Sequence, residues 1–267
     1  LQNPNHTYTS VDSFNVKLLV ASQNSCQDSV SKEVIVRPMP VAAFDITDSS
    51  QCLSSNDIRF INQSDIYYGK LDYHWDFGDI DSSLIENPNH TYVWFDTFTI
   101  QLITNSDFNC TDTAYKTAIV HPMPKSGFNI NDSDQCFRGN EYHFTNKSNI
   151  HHGTLNYEWD FGDMNTSIAK DPIYSYLADD TYTVKLLAIS DQDCMDSTTR
   201  QIIVFPMPES AFMLNDSTQC LTGNNFKFTN TTNIRYGSLT YFWTVGQKKF
   251  SSAKPPDTSF KDWGRYQ

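Results

Sequence analysis

The chain has 267 residues, with 31 acidic side chains against 19 Lys and Arg and a formal net charge of −12. The acidic excess is spread along the chain without a basic patch, which argues against a nucleic-acid partner. No apolar run approaches the roughly 20 residues that cross a bilayer, and no leader is visible at Leu1, so no membrane insertion is expected in this segment.

The main organising feature is repetition. Trp75, Trp159 and Trp243 stand 84 residues apart (159 − 75 and 243 − 159). Cys26, Cys110 and Cys194 keep the same step, as do Cys52, Cys136 and Cys220, and Pro-Met-Pro ends at Pro40, Pro124 and Pro208. A period this long exceeds the roughly 20 to 50 residues of solenoid units, so each repeat can hold its own core. The frame divides the chain into the C-terminal part of one repeat (1–40), two complete repeats (41–124 and 125–208) and the N-terminal part of another (209–267). Half a sandwich cannot bury a core, so the chain is expected to continue in both directions. The alternative is a head-to-tail polymer in which Leu1–Pro40 of one molecule completes Glu209–Gln267 of the next.

In the first complete repeat, apolar residues alternate with polar ones in five segments, as they do when one strand face is buried. In chain order these are Phe44/Ile46, Ile58/Phe60, Leu71/Tyr73/Trp75/Phe77, Phe98/Ile100/Leu102 and Ala118/Val120. The next repeat gives Phe128/Ile130, Tyr142/Phe144, Leu155/Tyr157/Trp159/Phe161, Tyr182/Val184/Leu186 and Ile202/Val204. Turn signals separate them at 68–69, 77–79, 87–89 and 105–107. Helix-period stretches are missing. The expected fold is all-β: tandem immunoglobulin-like antiparallel β-sandwich domains with a central Trp.

Six cysteines at two per repeat, without Cys-x-x-Cys pairs, fit a disulfide framework in an oxidising, extracellular setting. Two pairings stay open. Within repeats, Cys52 would join Cys110 and Cys136 would join Cys194. In an immunoglobulin-like order, however, Cys52 and Cys110 fall at opposite poles roughly 30 Å apart, whereas a disulfide needs Cα atoms within about 7 Å. The favoured pairing is therefore Cys52–Cys194, a staple between successive repeats. With the Pro-Met-Pro junctions it predicts a stiff rod.

Trp75-Asp76-Phe77-Gly78-Asp79 and Trp159-Asp160-Phe161-Gly162-Asp163, followed by Asn87-Pro88-Asn89-His90-Thr91-Tyr92, resemble the signature of PKD (polycystic kidney disease) domains. Gln51-Cys52 and Cys110-Thr111-Asp112 are similar to elements of PKD-type repeats in very large Bacteroidota surface proteins exported by type IX secretion. There are departures from the pattern. Ile80 and Met164 stand where a Gly is usual, Asp96 and Asp180 replace another, and the last repeat reads Trp243-Thr244-Val245-Gly246-Gln247 while keeping Gly264-Arg265-Tyr266. The resemblance implies a cell-surface stalk or filament segment of an adhesin, with neighbouring repeats as partners and surface polysaccharide or other cell-surface proteins as further ones. The rival is a carbohydrate-binding or accessory module array on a secreted hydrolase.

Asp76/Asp79 and Asp160/Asp163 have the chemistry of general acid–base pairs or calcium ligands, and the resemblance keeps structural calcium open. Aspartates at a tight turn also accept backbone hydrogen bonds, and Thr244 and Gln247 replace both in the fourth repeat, so the turn reading is preferred and no cofactor is expected. No nucleophile with a base recurs, so no enzyme is expected. The dyads Tyr67-Tyr68, His151-His152 and Arg235-Tyr236 precede a Gly and are expected to pack on the neighbouring repeat or to bind glycan. Asp28-Ser29-Val30, Asp112-Thr113-Ala114 and Asp196-Ser197-Thr198 resemble the Bacteroidota O-glycosylation acceptor, with Ser29, Thr113 and Ser197 as acceptors; an ordinary polar strand edge is the competing reading.

Overall fold

A computed structural model describes residues 2–245 and 248–251; Gly246, Gln247 and the Gly264-Arg265-Tyr266 motif lie outside the described residues. Within the described residues the secondary structure is all strand, without a helix. The chain divides into two units: Leu1–Pro124 with Ile150–Thr154 and Ile189–Met195, and Lys125–Asn149 with Leu155–Ala188 and Asp196 onward. The first unit thus takes in one loop and one hairpin tip of the repeat that begins at Lys125.

In residues 41–124, a three-stranded sheet (Phe44–Thr47, Ile58–Asn62, Asn89–His90) faces a five-stranded one. The latter orders Ser50–Cys52, Thr111–His121, Asp96–Ser106, Leu71–Asp76 and Ser82–Ser83 side by side. Residues 125–208 repeat this plan with Phe128–Ile130, Tyr142–Asn146 and Ile173–Tyr174 in one sheet. The other holds Asp134–Cys136, Met195–Phe205, Thr181–Ser190, Leu155–Asp160 and Thr166–Ser167.

Two details differ from the sequence expectation. Ser50–Cys52 and Asp134–Cys136 join their sheets in parallel, Cys52 opposite His121 and Cys136 opposite Phe205, so the sandwich is not wholly antiparallel. Three residues carry too little alternation for this edge to be read from sequence. Asn105 and Ser106 belong to a strand, so the turn begins two residues later than the signal at 105–107 indicates.

The alternating residues form the cores. Phe44, Ile58, Phe60, Trp75, Phe77, Phe98, Ile100, Leu102, Ala118 and Val120 are all buried together, and the second core repeats the set around Trp159. Ring pairs at edge-to-face or tilted angles fill each centre: Phe44–Trp75 and Phe128–Trp159 centroids are both 5.0 Å apart. Such geometry sets the positive ring edge against the negative face. Each indole N–H, buried with its ring, donates to a carbonyl: Trp75 Nε1 to Ile85 at 2.9 Å and Trp159 Nε1 to Ala169 at 2.8 Å.

Candidate functional site: the aspartate turn and the stapled pole

The turn after the central Trp strand is built by its aspartates. Asp76 Oδ1 accepts from Gly78 N at 2.9 Å, and Asp79 Oδ1 accepts from Asp81 N at 2.8 Å. Asp160 and Asp163 accept in the same way from Gly162 N at 2.9 Å and Asn165 N at 3.2 Å. Gly78 sits at φ 79°, and a Cβ there would lie 2.5 Å from the Thr99 carbonyl oxygen; at Gly162, φ is 82° and the distance to Thr183 O is 2.7 Å. Only glycine satisfies both demands.

The second oxygen of Asp79 lies 2.8 Å from His90 Nε2, and the His90 ring, 9% exposed, stacks on Phe77 at 4.4 Å with a 6° interplanar angle. One repeat later Tyr174 does the same work. Its hydroxyl donates to Asp163 Oδ2 at 2.7 Å, and its ring stacks on Phe161 at 4.1 Å and 6°. Burial, aided by that hydrogen bond, pushes the Tyr174 hydroxyl up to about 12, so it stays a donor over the working range of pH.

Asp79, Asp81 and His90 bring ligand atoms within 4.8 Å of one another. This donor set does not fit calcium, which takes six to eight oxygens, and Asp76 and Asp160 are not part of it. The matching residues one repeat on are Asp163, Asn165 and Tyr174, so the cluster is not a repeated feature. The turn aspartates have backbone partners, and these explain why carboxylates stand there.

Sequence reasoning missed two polar devices. Asn56, 3% exposed, donates to the Leu53 and Tyr92 carbonyls (both 2.9 Å) and accepts from Tyr92 N at 2.7 Å. Asn140 repeats this with Phe137 and Tyr176. Tyr92 and Tyr176 in turn donate to the Phe77 and Phe161 carbonyls, each at 2.8 Å, which locks the aspartate turn to the loop that follows it. Burial is the main cause that raises both phenols well above the ordinary tyrosine range. The recurrence of Asn56, Asn140 and Asn224 at the 84-residue step was the available signal.

The second device is the aspartate of the glycosylation-like tripeptide. Asp112 Oδ2 accepts from Ala42 N at 2.8 Å, and Asp196 Oδ2 accepts from Ser126 N at 2.7 Å and Ser126 Oγ at 2.9 Å. These backbone N–H groups hold both carboxyls below the usual range. Each such aspartate thereby ties down the first residues of its own repeat, a structural reason for its register. Ser29 and Ser197 are exposed, while Thr113 is half-buried on a strand.

Cys52 and Cys194 meet in a disulfide with Cα atoms 5.6 Å apart, and both belong to the first unit. Cys110 and Cys136, the other halves of a within-repeat pairing, are free thiols along with Cys26 and Cys220. The reason is positional: the parallel strand carries Cys52 beside His121, at the far end of the hairpin from Cys110. Around the staple, Phe95 packs against His151 and His152 with centroids 4.7 and 5.8 Å away. In the second unit the equivalent interaction is ionic: Arg235 lies 3.1 Å from the Asp179 carboxylate, and Tyr236 donates to the Val204 carbonyl at 3.3 Å. Tyr68 instead packs on Phe108, while Tyr67 is 85% exposed. Two of the three dyads thus pack across the repeat frame, with chemistry that varies while the geometry persists.

A family model described as PKD domain matches residues 35–120 and 127–204, more than half of the chain. Among solved structures, the PKD1 domain of Vibrio anguillarum Epp is 30% identical over 31% of this chain and 93% of its own, with a TM-score of 0.28. The PKD1 domain of the Vibrio cholerae metalloprotease PrtV is 25% identical over 32% of this chain and 96% of its own, with a TM-score of 0.26. The N-terminal eight immunoglobulin domains of Down Syndrome Cell Adhesion Molecule cover 87% of this chain with 32% of their own length at 9% identity, with a TM-score of 0.58. That last likeness concerns the fold alone.

Proposed function

Because the chain belongs to the PKD-domain family, we propose that it is a load-bearing segment of a cell-surface stalk that holds a distal adhesive element away from the cell. The family points to an extracellular module of structural or adhesive type. The finer reading is an adhesin of the kind that type IX secretion delivers, whose tip engages surface polysaccharide or other cell-surface proteins. The observation that carries it is the Cys52–Cys194 bond, which joins one repeat covalently to the next. A chain of modules joined only by Pro-Met-Pro passes force through the folded cores, whereas a staple passes it through a covalent bond. In this reading the chain has no catalytic role, since Asp76, Asp79, Asp160 and Asp163 serve their own turn. Antibodies raised against the chain should label intact source cells, and cells whose protein lacks these repeats should attach to a surface less firmly under flow. Labelling that needs permeabilised cells, or attachment unaffected by loss of the repeats, would contradict the proposal.

A further inference from the structure

One place on the sandwich is built around a carboxylate in the first complete repeat and lacks that carboxylate in the second. In the first, Asp45 is held by two donors: Lys116 Nζ pairs with Oδ1, and Gln63 Nε2 donates to Oδ2 at 2.6 Å. Lys116, aided by Gln63, keeps that carboxyl below its ordinary value. One period on (45 + 84, 63 + 84 and 116 + 84) stand Asn129, Lys147 and Arg200. The acid has become an amide and the amide a second cation, so the charge of the three positions goes from zero (+1 − 1) to +2 (+1 + 1). In a chain of net charge −12 this reversal runs against the composition.

The framework that presents these residues is the same in both repeats. Gln63 N donates to Ala43 O at 2.8 Å and Lys147 N to Gly127 O at 2.7 Å. Lys116 Nζ lies 5.8 Å from the Phe44 ring centroid and the Arg200 guanidinium carbon 5.6 Å from that of Phe128, so the cation sits over the equivalent ring each time. What differs is the partner. Among the described residues Arg200 has neither a hydrogen bond nor an ion pair. It lines an open groove of about 630 Å³, within the size range of small-ligand sites, together with Ile130, Asn131, Asp132, Ser133 and Gln201. Asn131 is committed elsewhere, donating to the Glu141 carbonyl and accepting from His143 N. Asp132 uses Oδ1 for Asp134 N, which leaves Oδ2 for a ligand, as are the Ser133 hydroxyl and the Gln201 amide among the described residues.

We infer that this groove binds a hexuronic acid unit of an acidic saccharide, with Arg200 gripping the sugar's carboxylate as Lys116 grips that of Asp45. A guanidinium offers a carboxylate two parallel N–H donors, a geometry that lysine lacks. The groups beside it match what a sugar ring presents: Asp132 Oδ2 accepts from ring hydroxyls, while Ser133 and Gln201 both donate and accept. Lys147 adds to the local positive potential without needing contact. An acidic peptide would give Arg200 the same carboxylate but few hydroxyl donors for Asp132, whose charge would repel a second acid. The site lies wholly within the second complete repeat, so it goes beyond load-bearing and stands whether or not the chain is a stalk.

The test follows ¹H–¹⁵N spectra of the full chain during titration with trisaccharides of galacturonate, mannuronate and guluronate, each compared with its neutral methyl ester. At least one acid should shift the amide signals of Ser133 and Gln201, and its ester should bind at least about tenfold more weakly, because the charge-assisted bonds to the guanidinium are lost. Asn129→Asp restores the carboxylate that the first repeat carries beside the same cation. It should engage Arg200 and weaken the acid more than about tenfold with the thermal midpoint held, since Asp45 shows that the position accepts an acid. Arg200→Gln should weaken the acid to the same degree. Equal binding of acid and ester, an Asn129→Asp chain that binds as the parent does, or no shift with any of the acids would overturn the inference. A glutamate tripeptide that binds as tightly as the best acid would assign the groove to protein carboxylates and overturn the saccharide.

Discussion

Opening the Cys52–Cys194 bond should change what the chain does under load more than any substitution in its cores. The bond closes a span of 142 residues. Force applied at the two termini of the oxidised chain can extend only the residues outside that span, because the covalent loop carries the load past them. Reduction releases the loop, and at about 3.5 Å per extended residue the contour length grows by about 500 Å. The alternative within-repeat pairing of Cys52 with Cys110 and Cys136 with Cys194 would instead hide two separate loops of 58 residues (110 − 52 and 194 − 136), each worth about 200 Å. Single-molecule pulling with handles at the termini, with and without a thiol reductant, separates the two. Cys52→Ser pulled without reductant should match the reduced chain. Equal contour lengths in both redox states, or two gains of about 200 Å, would refute the staple and with it the placement of Cys52 on the parallel edge strand.

Three further outcomes are expected. Gly78→Ala and Gly162→Ala should each lower stability by at least about 2 kcal/mol in thermal unfolding, since positive φ and a Cβ clash act together. Gly139→Ala, at φ 79° with nothing within 4 Å of a Cβ, should cost only about 1 kcal/mol. His90→Tyr should be tolerated and should keep the stack on Phe77, because Tyr174 already makes that hydrogen bond and that stack one repeat later; His90→Ala should destabilise the first core measurably more in the same unfolding assay. The carboxyl of Asp196 is held below its ordinary value by Ser126 N–H. Its contribution is therefore present above the unfolded carboxylate pKa of about 4 and is lost as pH falls through the lower folded value. Asp196→Asn should flatten the stability profile of its repeat below pH of about 4 and leave the neutral-pH slope unchanged, and an unaltered acid limb would count against the clamp.

The period, the strand set and the cores were legible in the sequence because each depends on local rules. Alternation at Leu71, Tyr73, Trp75 and Phe77 follows from the pleat, and it marks the buried face before any partner strand is known. The aspartates of the Trp-Asp-Phe-Gly-Asp turn could likewise be read as turn formers from the chemistry of a tight bend. Two cysteine pairings could both be written from the sequence, and the choice between them needed a pole assigned to each cysteine. That assignment is a matter of strand order, which a sandwich sets by packing two sheets rather than by any nearby residue. Tertiary structure alone decided the parallel seating of Ser50–Cys52, the bond from Asp112 back to Ala42 seventy residues earlier, and the exchange of His90 for Tyr174 as partner of the same carboxylate. In each case the partner is far along the chain and close in space, so no pattern in a window of sequence contains it.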